Sequence, residues 1–219
     1  MTEQTCKIKW GENVIIADAE YIDSVAFNLI VNFERMIGRH IPQADMAQWV
    51  ECIAADGGCQ HLNNEERAEQ HTTHVILIHN KEKEGIDNFN PSAFYAKDEE
   101  DRAWLDGQAF MGNIGECIFH CVAAEGKETM TKSDIMADIM AHLADEDSVR
   151  RIMIVPDMET GETMQYLMPV MKHIDRNHSE KRITVFSMQP LSGLPCRTEI
   201  LGYSIMAALG IRASELEKL

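Results

Sequence analysis

The chain has 219 residues, of which 45% are hydrophobic, and carries a formal net charge of −16 at pH 7. This length can bury one sizeable core, and we predict one domain across residues 1–219. The negative charge disfavours non-specific binding to nucleic acids, which requires Lys and Arg side chains to neutralise phosphates. Short apolar runs and an N-terminal sequence without an apolar segment predict a cytoplasmic protein with no membrane span. Six cysteines without a Cys-x-x-Cys pair predict reduced thiols.

The first predicted strand runs directly into acidic residues. Residues 14–17 are apolar and typical of a strand buried on both faces, and Asp18 and Glu20 follow at once. An amphipathic helix is predicted over 22–37, with Gly38 placed to end it. Because ligands bind outside the carboxyl ends of strands in open parallel sheets, both carboxylates are candidate site residues.

Strands and helices alternate along the rest of the chain. The apolar patterns predict further strands at 74–79, 116–123, 152–155 and 183–186, and further helices at about 46–53, 131–143, 160–173 and 199–209. Residues 80–113 are rich in turn-forming and charged residues, and we predict an irregular excursion there with room for one short helix.

This alternation predicts an α/β fold. We expect a three-layer sandwich around a mainly parallel five-stranded central sheet, because parallel strands need crossovers that cover both faces. In a flavodoxin-like or PIN-like order the first strand lies centrally, beside later strands. The fourth strand is followed by Asp157 and Glu159, so four carboxylates would converge on one cleft with Asp18 and Glu20. Such a group is costly unless a divalent cation or shared protons offset the repulsion.

Three local motifs resemble the NYN branch of the PIN-like nucleases. Asp18-Ala19-Glu20-Tyr21 is similar to the Asp-Gly-Glu-Asn motif that ends the first strand in that family. Lys132-Ser133-Asp134 is similar to its Lys and Asp at the start of a later helix, and Pro156-Asp157-Met158-Glu159 follows the next strand where the family has a Ser-Gly-Asp-Ser-Asp motif. The match covers about residues 13–38 and 127–190.

The resemblance implies a metal-dependent ribonuclease that cleaves RNA with Mg²⁺ or Mn²⁺, ions that prefer hard oxygen ligands. The catalytic residues that it implies are Asp18, Asp134, Asp157 and Glu159. The metal ligands that it implies are Asp18, Glu20, Asp134 and Asp157, with Glu20 and Glu159 as further ligands or as groups that orient the attacking water. No other cofactor is predicted.

Helix capping is the alternative interpretation of the same residues. Asp18 and Asp157 could cap the helices that follow them, since acidic residues are favoured near helix N-termini. Asp134 has the spacing of a capping box with Thr131, which by itself would explain the residue.

Other functions also stay open. Tyr21, Pro156 and Glu159 stand where the family usually has Asn, Gly and Asp, and these departures fit a member that has lost cleavage. A non-catalytic acidic scaffold and a metal-dependent phosphatase are the alternatives, because fold and acidic cluster do not determine the substrate. The last predicted helix is apolar nearly all round, which predicts a homodimer through this helix. The apolar residues are Leu201, Ile205, Met206, Leu209 and Ile211.

Overall fold

A seven-stranded, mainly parallel sheet forms the centre of the molecule. The computed structural model describes residues 8–62, 71–90, 105–125, 130–159 and 161–216. Its strands are β1 (Asn13–Asp18), β2 (Ala44–Asp45), β3 (Thr72–Asn80), β4 (Phe89–Asn90), β5 (Ala109–Gly112), β6 (Gly115–Ala124), β7 (Arg151–Val155), β8 (Arg182–Ser187) and β9 (Arg197–Ile200). Its helices are α1 (Ala19–Ile37), α2 (Met46–Asp56), α3 (Lys132–Ala144), α4 (Thr163–Asn177), α5 (Leu201–Ala208) and α6 (Ala213–Leu216).

The sheet order is β5-β6-β3-β1-β7-β8-β9, and β2 pairs with β4 separately. All neighbours in the main sheet are parallel except the β5–β6 hairpin. Apart from the edge strand β5, this is the 3-2-1-4-5-6 order of doubly wound sheets. Of the two orders expected, the flavodoxin-like order is therefore wrong, because it would place the third strand beside the first.

Strands β1 and β7 are parallel neighbours, as the sequence predicted. Their register pairs Asn13 with Arg151 and Ala17 with Val155, so the two strands end at the same level. On its other side β1 pairs with β3. The chain therefore runs from β1 to β3 and β6 in one direction across the sheet, and then returns to β7 on the opposite side of β1. The switch point of the sheet therefore lies between β1 and β7, and a crevice for ligands is expected at their carboxyl ends.

Both faces of the sheet are covered, which explains why β1 is apolar throughout. Ile15 and Ala17 pack with α1, α2 and α5 in one core cluster. Val14 and Ile16 pack with α3 and α4 in a second cluster on the opposite face. The three layers of the α/β prediction are thus confirmed, with every residue of β1 buried.

The sheet has two more strands than the five expected. Strand β5 lies inside the predicted excursion at 80–113, and β9 occupies Arg197–Ile200, where the start of the last helix was expected. Both have only four residues. Strand β9 is mostly polar and β5 has only three consecutive apolar residues, so neither carries the signal of a buried strand. The excursion also contains β4, while its residues 91–104 lie outside the described residues.

The C-terminal helix is packed inside its own chain. Leu201, Ile205 and Leu209 are fully or almost fully buried, and Met206 packs against the same core cluster. The apolar residues that predicted a homodimer are therefore used within the protomer. Among the described residues, no helix combines the length and apolarity needed to cross a membrane.

Candidate active site at the switch point

Asp18 joins the end of β1 to the start of α1 without an intervening loop. Its backbone is extended, with φ −72° and ψ 107°, and its Oδ1 accepts a hydrogen bond of 3.1 Å from the backbone N–H of Tyr21. Asp18 is therefore the N-cap of α1, as the capping interpretation predicted. Only 4% of the residue is exposed, an unusual degree of burial for a carboxylate at a helix start.

A lysine from α3 bridges Asp18 and Glu20. The Nζ atom of Lys132 lies 2.7 Å from Asp18 Oδ1 and 2.7 Å from Glu20 Oε2. The side chains of Lys132 and Asp18 are 19% and 5% exposed, so the ion pair is largely shielded from water. The sequence placed Lys132 in a motif near the site, but nothing in the sequence indicated that it would bind both carboxylates.

Asn80 at the end of β3 holds Glu20 in place. Its backbone N–H donates to Glu20 Oε1 at 3.0 Å, and its side-chain amide donates to Oε2 at 2.5 Å. Together with Lys132, these donors occupy both oxygens of Glu20. Asn80 was not among the predicted site residues, and its only signal in the sequence is its place directly after the second apolar strand.

The electrostatics of this cluster are dominated by burial and by Lys132. Burial raises the pKa of Asp18, and the Lys132 ammonium offsets part of that increase. For Glu20, burial acts in the same direction, but hydrogen bonds from Lys132 and Asn80 outweigh it and lower the pKa. Burial opposes the charge on Lys132, yet the two carboxylates outweigh it and raise the lysine pKa. Displaced titrations in a cleft are typical of functional sites.

Asp157 and Glu159 lie beyond the end of β7, near the side chain of Tyr21. Asp157 Oδ1 accepts a hydrogen bond of 2.9 Å from the backbone N–H of Glu159 and so closes a local turn. Burial, followed by the charges of Glu159 and Asp157, raises the pKa of Tyr21 to about 12. Asp157 does not cap α4, because the N-cap of that helix is Glu162.

Asp134 forms the capping box that its spacing predicted. Its Oδ2 accepts hydrogen bonds from the backbone N–H of Thr131 at 2.9 Å and from the Thr131 hydroxyl at 2.6 Å. The Thr131 hydroxyl in turn accepts from the backbone N–H of Asp134 at 3.2 Å. These contacts fix the first turn of α3, from which Lys132 reaches the cleft.

Replacing Asp134 with alanine should lower the free energy of unfolding by about 1 kcal/mol, because one half of the capping box is lost. Urea denaturation with and without Mn²⁺ checks this expectation. Any stabilisation by Mn²⁺ should be the same in the variant and the wild type. A variant that loses its response to Mn²⁺ would instead identify Asp134 as a metal ligand.

Comparison with known proteins places the chain in a family. A family model described as "Family of unknown function (DUF6621)" matches residues 7–216. The chain belongs to this family. No curated protein and no solved structure matched in the two other comparisons. The likeness to NYN nucleases therefore rests on the local motifs.

The carboxylate oxygens of the site differ in whether they already accept hydrogen bonds or could still bind a metal ion. Among the described residues, no group of three or more His, Cys, Asp and Glu side chains is arranged to hold a metal. Asp18 Oδ2 and Asp157 Oδ2 have no protein donor there, whereas both oxygens of Glu20 are engaged. Mg²⁺ in proteins is usually held by one or two carboxylates plus substrate phosphates, so these two oxygens are the candidate ligands.

Most cations near β7 and β8 lie at the wrong edge to assist this cleft. Arg150, Arg151, Lys181 and Arg182 precede or begin these strands and so lie at the amino edge of the sheet. Lys181 is also buried, with its Nζ donating to the backbone oxygens of Glu146 and Val149. Lys132, in contrast, reaches the carboxyl edge, where it binds Asp18 and Glu20.

Proposed function

We propose that this protein is a metal-dependent phosphodiesterase of the ribonuclease type, with its active site at the carboxyl ends of β1 and β7. The observation that carries the proposal is the nearly buried Asp18 bound by Lys132 at the switch point of a doubly wound sheet. Open sheets of this kind bind ligands at that position. The nuclease motifs and the acidic residues after both strands supply the reaction class.

A binding or catalytic role explains this cluster better than a scaffold does. Removing a carboxylate and an ammonium from water costs free energy that their attraction often fails to recover, so a buried ion pair is a weak source of stability. Asp18 and Lys132 are 114 residues apart in the chain and meet only at the carboxyl edge. A role in binding or catalysis therefore explains their pairing better than a contribution to the stability of the fold does.

The acidic side chains and Lys132 have separate roles in the proposed reaction. Asp18 Oδ2 and a carboxylate oxygen of Asp157 would hold Mg²⁺ or Mn²⁺, which supplies polarisation of the scissile phosphate and hydroxide near neutral pH. Glu20, fixed by Asn80, orients the Lys132 ammonium toward the phosphate. Glu159 lies at the exposed mouth, where it can accept a proton from the attacking water.

RNA binding at this edge depends on few cations. Lys81 and Lys83 follow the end of β3, and the charge of Lys83 contributes to the lowered pKa of Glu20. With a net charge of −16, the rest of the surface repels a polyanion. Affinity should accordingly fall steeply with salt, because each phosphate contact releases counterions.

The test is cleavage of a fluorescent single-stranded RNA at low salt by protein freed of contaminating ribonuclease. Slow cleavage is expected with Mn²⁺ or Mg²⁺, and Asp157→Asn should reduce the rate at least about a hundredfold because a metal ligand is lost. Asp147→Asn is the matched control, since Asp147 is exposed in the turn between α3 and β7, at the opposite edge. It should leave the rate unchanged.

Two other results would favour a different function. Equal rates for the wild type and Asp157→Asn, with no dependence on metal, would leave a non-catalytic scaffold as the better explanation. Metal-dependent hydrolysis of p-nitrophenyl phosphate without RNA cleavage would favour the phosphatase alternative, which uses the same carboxylates.

A further inference from the structure

The ammonium of Lys132 lies between Asp18 and Glu20 and binds the same Asp18 carboxylate that the proposed metal would bind. It lies 2.7 Å from an oxygen of each carboxylate and neutralises part of their charge without any bound ion. We propose that Lys132 is a built-in competitor of the divalent metal, so that metal binding and release of Lys132 from Asp18 are coupled. This inference rests on the proposed function, because it concerns how the same site is loaded.

The contacts of Asp18 make competition unavoidable. Its Oδ1 already accepts from both Lys132 and the backbone N–H of Tyr21, so a metal can use only Oδ2. An ion on Oδ2 would share one carboxylate with the Lys132 ammonium, and the two positive charges would lie a few ångströms apart in a poorly solvated crevice. Repulsion at such a distance is strong where water is largely excluded.

The carboxylate is nevertheless open to a ligand at that one oxygen. The Asp18 side chain is only 5% exposed, and among the described residues its Oδ2 accepts no hydrogen bond. A nearly buried carboxylate with one oxygen that accepts no hydrogen bond points to a ligand that is cationic or donates a hydrogen bond.

The Lys132 ammonium keeps a second partner when it leaves Asp18. The capping box holds the backbone of α3, so the side chain can move while the helix stays in place. Glu20 remains anchored by Asn80 and still offers Oε2 to the ammonium. The released Lys132 would then stay beside the metal, where it can receive a substrate phosphate.

Binding of Mn²⁺, followed by electron paramagnetic resonance of the free ion, tests the competition. Lys132→Met should bind Mn²⁺ at least about tenfold more tightly than the wild type, because the competing charge is gone. Lys132→Arg keeps the charge and should stay within about threefold of the wild type. Lys172→Met, which removes an exposed lysine on α4, is the matched control and should leave the affinity unchanged. Equal affinities of Lys132→Met and Lys172→Met would overturn the proposal.

A second measurement needs no substitution and so does not depend on how Lys132→Met folds. Reductive methylation of the wild type, quantified by peptide mass spectrometry, should modify Lys132 several times faster in Mn²⁺ than in EDTA, relative to Lys172. An unchanged or slower rate would overturn the proposal.

Comparison with Asp157→Asn separates the two hypotheses. If the wild type binds Mn²⁺, Asp157→Asn binds it less well and Lys132→Met shows no gain, only the competition is wrong. If Asp157→Asn binds Mn²⁺ as the wild type does, the metal site of the proposed function is wrong as well.

Discussion

Lys132→Met should lower the free energy of unfolding by about 3 kcal/mol in metal-free buffer. The substitution leaves Asp18 charged in a site that is almost closed to water, with Glu20 beside it and no counter-ion in contact with either. An intact buried ion pair adds little to the free energy of unfolding. Removing one partner lowers that free energy strongly, because the remaining charge keeps its desolvation penalty without an opposite charge beside it. Urea denaturation followed by circular dichroism measures the loss.

Two controls separate this effect from a general loss of charge. Lys172→Met should change the free energy of unfolding by less than about 0.5 kcal/mol, since that lysine is exposed. Adding Asp18→Asn to Lys132→Met should recover part of the stability, because the uncompensated buried charge is removed. A loss below about 1 kcal/mol in the single variant would show that the ion pair is open in solution.

Lowering the pH should destabilise the protein, because a pair of histidines on β3 and β6 resists protonation in the folded state. His74 on β3 and His120 on β6 share a hydrogen bond, with Nδ1 of His74 2.8 Å from Nε2 of His120, and their rings are stacked. Trp10 packs edge-on against His74, which is 3% exposed. Burial and the neighbouring His120 lower the pKa of His74 from its ordinary value of 6.5 to about 4.

The direction of the pH effect follows from that lowered pKa. The unfolded chain takes up a proton near pH 6.5, whereas the folded chain resists it until about pH 4. The contribution of His74 is therefore fully present above pH 6.5 and is lost as the pH falls, by about 2 kcal/mol at pH 5 and about 3 kcal/mol at pH 4. The pKa of His120 is also lowered by burial, which adds to the loss.

Urea denaturation at pH 7.5, 6, 5 and 4 measures this dependence. His74→Phe should remove most of the loss between pH 6.5 and pH 4, because phenylalanine fills the site without binding a proton. His61→Gln replaces an exposed histidine and should retain the wild-type dependence. The same pH dependence in His74→Phe and the wild type would show that other groups cause the acid loss.

The local pattern was sufficient for the main strands and helices. Each of the five predicted strands is present in the central sheet. Four of them are buried almost throughout, which requires a nearly continuous apolar segment, whereas burial alternates along the first part of β6. The helices were predicted from their apolar periodicity, although their ends shifted, as α4 shows by beginning at Thr163. Strands β5 and β9 escaped prediction because edge strands pair through the backbone and need no apolar run.

The sequence by itself determined where the acidic residues stand relative to the strands. Asp18 and Glu20 follow β1 directly, and Asp157 and Glu159 follow β7, so strand periodicity alone located them at strand ends. The capping box of Thr131 and Asp134 was equally predictable, because its partners are three residues apart. These features are local in the chain, and local sequence controls them.

Only the tertiary structure decided which charges meet. Lys132 contacts Asp18 and Glu20 across 114 and 112 residues, and Asn80 contacts Glu20 across 60. The order of the strands places β1 between β3 and β7 and so brings Asn80 and the start of α3 to the same edge. Arg151 and Lys181, which appeared equally available from the sequence, lie at the opposite edge because they precede their strands. Strand direction, a property of the whole sheet, therefore decides that Lys132 and not Arg151 or Lys181 meets Asp18.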